Sequence, residues 1–343
     1  MQFLPKLNTT MEAADIQVRF FQHLKSMLPP YIAMVDAVAD LLELSNDSAY
    51  RRIRGEKPIS LEEMQKLAVH YNISLDQFMH IKSDAFIFNG RITNSTDFNF
   101  ESWQKTVIEH LHYVASFKPN HYFYMAKEIP FLYYYLIPEI AAFKSYFFMK
   151  SILFYEDWKN AKFSVKDDYS KYHETWRIIS NTYASIPCTE IWHMENITST
   201  LHQIEFYLAT GSLKSKDDAF CLLDKFEELV NHIEKQAEYG VKLCYGQQPS
   251  SSLPVYRMFL NELIMGDNMQ VMQLGDSQVT YINHSVINFI MTRDLAFNSY
   301  MKRTIDIITQ KSTPISEVNE KERLVFFNSL RAKINHTRQL VTV

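Results

Sequence analysis

Residues 42–74 read "LELSNDSAYRRIRGEKPISLEEMQKLAVHYNIS". The stretch gathers Arg51, Arg52 and Arg54 into one short segment of a 343-residue chain whose net charge is −4. Ser45 is a natural N-cap for a helix over 46–54. Gly55 follows it, where a left-handed residue is useful. At the helical period Ala49 and Ile53 fall together and turn inward, with Leu44 just before them. Asp47, Arg51 and Arg54 fall on the opposite face, flanked by Ser48 and Tyr50. A face of arginines, a tyrosine and small polar groups suits a DNA major groove, because guanidinium reads guanine through two hydrogen bonds and hydroxyls reach phosphates or base edges. The plain alternative is a solvated charged helix.

Outward from this segment the pattern stays helical. Over 15–28, Ile16, Phe20, Leu24 and Leu28 recur every fourth residue, and Pro29-Pro30 ends the run. A second helix is expected at 34–43, with Val35, Val38, Ala39 and Leu42 inward. Ser60 and Glu63 form a capping box that opens a helix over 61–71. Ser74 caps a fifth, at 73–79. Five short helices within about seventy residues make a small all-α domain.

These residues resemble the helix-turn-helix of lambda-repressor-like (XRE-type) regulators. Ala39 stands at the alanine of the motif's second helix, Leu44-Ser45 at its turn, Gly55 after the recognition helix and Pro58 beyond it. Leu61, Leu67, Ala68 and Ile73-Ser74 match the helix that follows. More closely, "DSAYRRIRGEKPISLEEMQKLAVHYNIS" is similar to the BetR-like helix-turn-helix proteins of bacteria. Where the motif often has a glycine before the turn, this chain has Glu43. The resemblance implies that Asn46, Asp47, Ser48, Tyr50, Arg51 and Arg54 face double-stranded DNA. Arg51 and Arg54 would read base edges, Arg52 and Lys57 would meet phosphates, and Asp47 could accept from a cytosine amino group. One such module covers little DNA, so a homodimer on a palindromic operator is expected. Residues 15–82 carry eight Lys/Arg and nine Asp/Glu, so non-specific affinity for a polyanion should be weak.

The rest of the chain is larger than DNA binding needs. The fold class expected is mainly α, α+β: a tail at 1–14, the five-helix domain at 15–82, and a helical domain at 83–343 with a small antiparallel sheet. Helices are expected at 102–117, 138–155, 170–184, 195–209, 216–239 and 294–310, and Ser316 is expected to cap a last one. Apolar runs separated by Gly266-Asp267-Asn268 and Gly275-Asp276-Ser277 read as a meander of three or four strands over 254–292. The stretches "YMAKEIPFLYYYLIPEIAAFKSYFFMKSIL" and "STPISEVNEKERLVFFNSL" resemble the C-terminal halves of longer regulators with this reader domain, a likeness that implies architecture only. A sensor and dimerisation role, answering a small molecule or a protein, is the expectation. The 24 Phe and 20 Tyr either fill the core or line an apolar pocket.

Other chemistry finds little support. There is no G-x-G-x-x-G and no G-x-x-x-x-G-K-[ST]. His110 and His112 point to different helix faces, and "HETW" is not a zinc motif. Cys188, Glu190 and His193 lie close in sequence, where a buried thiol competes with a nucleophile. No enzyme activity, metal or cofactor is called for. Three scattered cysteines fit reduced thiols in a cytoplasm. The apolar region 131–155 is broken by Pro138, Glu139, Lys144 and Lys150, so it reads as core and not as a membrane span. An interaction protein that keeps the helix-turn-helix as a docking surface is the second reading.

Overall fold

The computed structural model describes residues 13–73, 75, 86–90, 98–263, 267–284 and 286–342. The chain divides into two compact units, Met1–Asn89 and Gly90–Val343. The fifth helix expected at 73–79 and most of the polar connector after it lie outside the described residues.

In the first unit α1 (Ala13–Met27), α2 (Met34–Leu42), α3 (Asn46–Ile53) and α4 (Leu61–His70) enclose a small core. Phe20, Phe21 and Leu24 of α1 meet Val38, Ala39 and Leu42 of α2, Ala49 of α3, and Leu67 and Ala68 of α4. Three of the helices end alike. The residue after the last turn takes a left-handed conformation, and the next N–H reaches back five residues to a carbonyl, the Schellman arrangement. Glu43 (φ 55°), Gly55 (φ 76°) and Asn72 (φ 52°) hold the left-handed positions. The returning bonds are Leu44 N–H to Ala39 O, Glu56 N–H to Arg51 O and Ile73 N–H to Ala68 O, at 2.9, 2.9 and 2.8 Å. Glycine and asparagine adopt this conformation easily, whereas glutamate does so at a cost.

The second unit is built on an eight-stranded mixed sheet of order β1-β7-β6-β5-β2-β3-β4-β8. Its strands are β1 (Asn89–Gly90), β2 (Asn120–Met125), β3 (Cys188–Trp192), β4 (Tyr256–Leu260), β5 (Met269–Leu274), β6 (Ser277–Asn283), β7 (Phe289–Thr292) and β8 (Thr313–Pro314). The small antiparallel sheet expected from sequence is therefore corrected. β2, β3 and β4 are parallel neighbours, because helical crossovers separate them in sequence. The meander expected over 254–292 holds for β5, β6 and β7, where Gly275-Asp276 makes a two-residue turn. It fails at β4, which pairs with β3 on the far side of β2.

The helices of this unit are α5 (Phe100–Ser116), α6 (Pro138–Phe147), α7 (Ser170–Ala184), α8 (Thr198–Ala209), α9 (Lys216–Tyr239), α10 (Leu295–Gln310) and α11 (Glu320–Thr342). A 3₁₀ turn at Phe131–Leu136 precedes α6, and a π turn at Phe148–Ile152 follows it. The strands alternate as period two requires. Tyr122, Tyr124, Cys188, Trp192, Tyr256 and Met258 face a thick helical layer drawn from α5–α9 and α11. Phe123, Met125, Ile191 and Phe259 face Ile305 and Ile308 of α10 on the other side. The aromatic excess is largely core: Leu132 through Leu136 are all buried, and each fully buried apolar side chain contributes about 1.5–3 kcal/mol. Ser316 does not cap α11. It is buried, and its hydroxyl accepts from Met258 N–H at 3.0 Å. Among the described residues no helix is long and apolar enough to cross a membrane.

Candidate nucleic-acid interface

The turn between α2 and α3 presents α3 by its outer face. Ser45 is extended and its hydroxyl accepts from Ser48 N–H at 3.3 Å, which fixes the start of the helix. Ala49 is fully buried. Asn46, Asp47, Tyr50, Arg51, Arg54 and Lys57 are exposed and Ser48 is half-buried, so these seven sequence-derived positions share the solvent side. Asn46 donates to Asp36 Oδ1 of α2 at 3.0 Å. The Arg54 guanidinium lies 5.6 Å from the centre of the Tyr50 ring, and its Nε meets Glu56 at 3.1 Å. Arg51 makes no ion pair among the described residues.

Arg52 is a correction. It is buried, so it cannot meet phosphate from its place in the fold. Its Nε and Nη2 donate to the two Glu63 oxygens at 2.9 and 2.6 Å, and Nη1 donates to Ser48 O at 3.2 Å. The Arg52 hydrogen bond lowers the Glu63 carboxyl below the usual carboxylate range. Glu63 is also the third residue of the capping box, with Ser60 N–H donating to its Oε2 at 3.0 Å. One carboxylate thus starts α4 and anchors α3. The helical period placed Ala49 and Ile53 inside, but the long Arg52 side chain reaches inward from the flank to find its counter-charge.

Gln17 was invisible to hydrophobic patterning. Buried on α1, it donates to Arg52 O and Lys57 O at 2.7 and 2.8 Å and accepts from Ile59 N–H at 3.0 Å. It therefore holds the end of α3 and the turn carrying Lys57 in one position. A lone amide on an otherwise apolar helix face was its only signal in the sequence.

Comparison with known proteins bears on this unit. The BetR domain, a helix-turn-helix family, matches residues 31–94. This part of the chain is similar to that helix-turn-helix family. No curated protein and no solved structure matches the chain.

Proposed function

We propose that the protein is a sequence-specific DNA-binding transcription regulator. The observation that carries this reading is the division of labour among the three arginines: Arg52 is spent inside, while Arg51 and Arg54 stay on the exposed face of a capped, anchored helix. The BetR match supports it. On this reading Arg51 and Arg54 meet base edges in the major groove, Tyr50 and Ser48 reach phosphate or base edges, and Lys57 meets phosphate. The protein acts as a homodimer whose half-sites lie about 34–36 Å apart or a multiple of that. The second unit supplies dimerisation and answers an effector, and no catalytic activity is assigned to it.

The experiment is selection from random duplexes with the purified full chain, followed by a salt titration on the winning site. A palindrome and a log–log salt slope of about −0.9 per neutralised phosphate are expected. Folded protein that selects no sequence would favour the helix-turn-helix as a protein docking surface.

A further inference from the structure

Two lysines are deeply buried among the described residues, Lys144 and Lys242. Their surroundings differ. Lys242 lies 3.8 Å from the Glu190 carboxylate, and its ammonium sits over the rings of Tyr133, Tyr183 and Tyr256. That charge has a counter-charge. Lys144, on α6, donates to the neutral oxygens of Thr200 and Gln203 at 2.7 and 2.8 Å, and lies 4.3 Å from the Tyr134 ring centre. No carboxylate among the described residues ion-pairs with it. A buried charge without a counter-charge is costly to keep, which makes this group a candidate functional one.

Lys144 also lines a cavity of about 100 Å³. Glu128 lines the same cavity, on the connection after β2. Glu128 is half-buried and, like Lys144, makes no ion pair among the described residues. Phe131, Phe147 and Phe289 contribute to the aromatic part of the cavity walls. Opposite charges therefore line one small chamber without forming an ion pair, and Gln203, Asn268 and Asn283 add polar walls to the aromatic ones.

We propose that this cavity binds a small zwitterionic amino acid, its carboxylate on Lys144 and its ammonium on Glu128. A molecule with both charges satisfies both ends at once. A simple carboxylate would leave Glu128 unpaired and face its repulsion, and a simple amine would do the same at Lys144. The volume limits the size: a cavity of about 150 Å³ holds benzene, so this smaller one suits glycine or alanine and not valine or an aromatic amino acid. Burial lowers the Lys144 ammonium to about 7, with Glu128 acting in the opposite sense; a bound carboxylate would hold the proton in place. The wider groove between α8 and α11 offers no such opening, since its Lys333 already pairs with Glu195 at 2.6 Å. The binding needs nothing from the DNA reading; its role as the effector site rests on that reading.

The test is calorimetric titration of the full chain, without DNA, with glycine, L-alanine and β-alanine. Isobutyrate and isopropylamine serve as singly charged controls. At least one zwitterion should saturate one site per chain, with the controls at least tenfold weaker. Glu128→Gln, at a half-buried position, and Lys144→Met should each weaken it at least tenfold. The proposal is overturned if no zwitterion saturates by about 10 mM, beyond the ~1 mM that a binding free energy near −4 kcal/mol gives. It is equally overturned if a control binds as well, or if folded Glu128→Gln binds like wild type. A titration that fails leaves operator selection untouched, and a failed operator selection leaves the titration standing.

Discussion

Arg52 of α3 and Glu63 of α4 form a two-bond ion pair, with N–O distances of 2.9 and 2.6 Å, beneath the exposed face of α3. The Arg52 side chain is 7% exposed and that of Glu63 is 21%. Breaking one partner of such a pair strands a charge. Arg52→Met should therefore destabilise the first unit by roughly 2–4 kcal/mol, while Arg51→Met stays within about 0.5 kcal/mol of wild type. Urea unfolding of the two variants reads the contrast. Equal midpoints would remove the anchoring role of Arg52. The lowered Glu63 carboxyl gives the pH sense: its stabilisation is present above the ordinary carboxylate value and is lost as pH falls through the folded one.

Glu43 closes α2 in a left-handed conformation at φ 55°. Glu43→Gly removes the strain on the side chain, partly offset by the freer unfolded chain. A gain of about 0.5–1 kcal/mol is expected on balance. A thermal melt that shows the variant less stable would mean that the Glu43 side chain contributes more than its backbone costs.

The buried Glu190 accepts from Tyr133, Tyr183 and Tyr256 hydroxyls and from Trp192 Nε1, at 2.9, 2.6, 2.8 and 2.7 Å. Lys242 supplies the counter-charge to this network. Lys242→Met should cost about 3–5 kcal/mol. Adding Glu190→Gln to it should recover part of the loss, because the stranded charge goes with it. A double variant less stable than Lys242→Met by denaturant titration would show that the hydrogen bonds, and not the charge balance, dominate.

Among the described residues, three imidazoles are held neutral. Burial drops His110, His121 and His232 from the ordinary value of 6.5 to about 4. The unfolded chain then takes up protons between about 6.5 and 4 that the folded chain refuses, so stability falls as pH falls through that window. His110, between Met272 Sδ at 3.0 Å and Tyr281 OH at 3.1 Å, is the one to replace. His110→Gln should lose less stability than wild type between pH 7 and pH 4, read by urea midpoints. A parallel loss in both would remove His110 from the account.

The first unit was largely legible in the sequence because its signals are local. Ser45, Ser60-Glu63 and Gly55 each set a helix end within a few residues, and the observed caps fall on them. Arg52 and Gln17 were not legible, since their partners lie 11 and 35 to 42 residues away. In the second unit helix positions read well; α7 and α9 span the expected 170–184 and 216–239. The sheet read poorly. β3 is five residues between helices, and it carries Thr189 and Glu190 inside a strand that is buried throughout. Neither alternation nor a hairpin loop announces such a strand. Lys144 was read only as a charge that breaks an apolar run; its cavity exists because α6, the 3₁₀ turn, β7 and the β2 connection converge.

On the proposed function, Arg51 of α3 and Arg54 at its C-cap read base sequence. The direct measurement is a genomic-fragment pull-down with wild type beside Arg51→Ala/Arg54→Ala and Lys57→Ala. Enrichment of a short palindrome by wild type is expected. The double arginine variant should lose that preference while remaining folded. Lys57→Ala should keep the same palindrome, weaker on all sequences alike and with the salt slope reduced by about one. A double arginine variant that still enriches the wild-type palindrome would contradict the account.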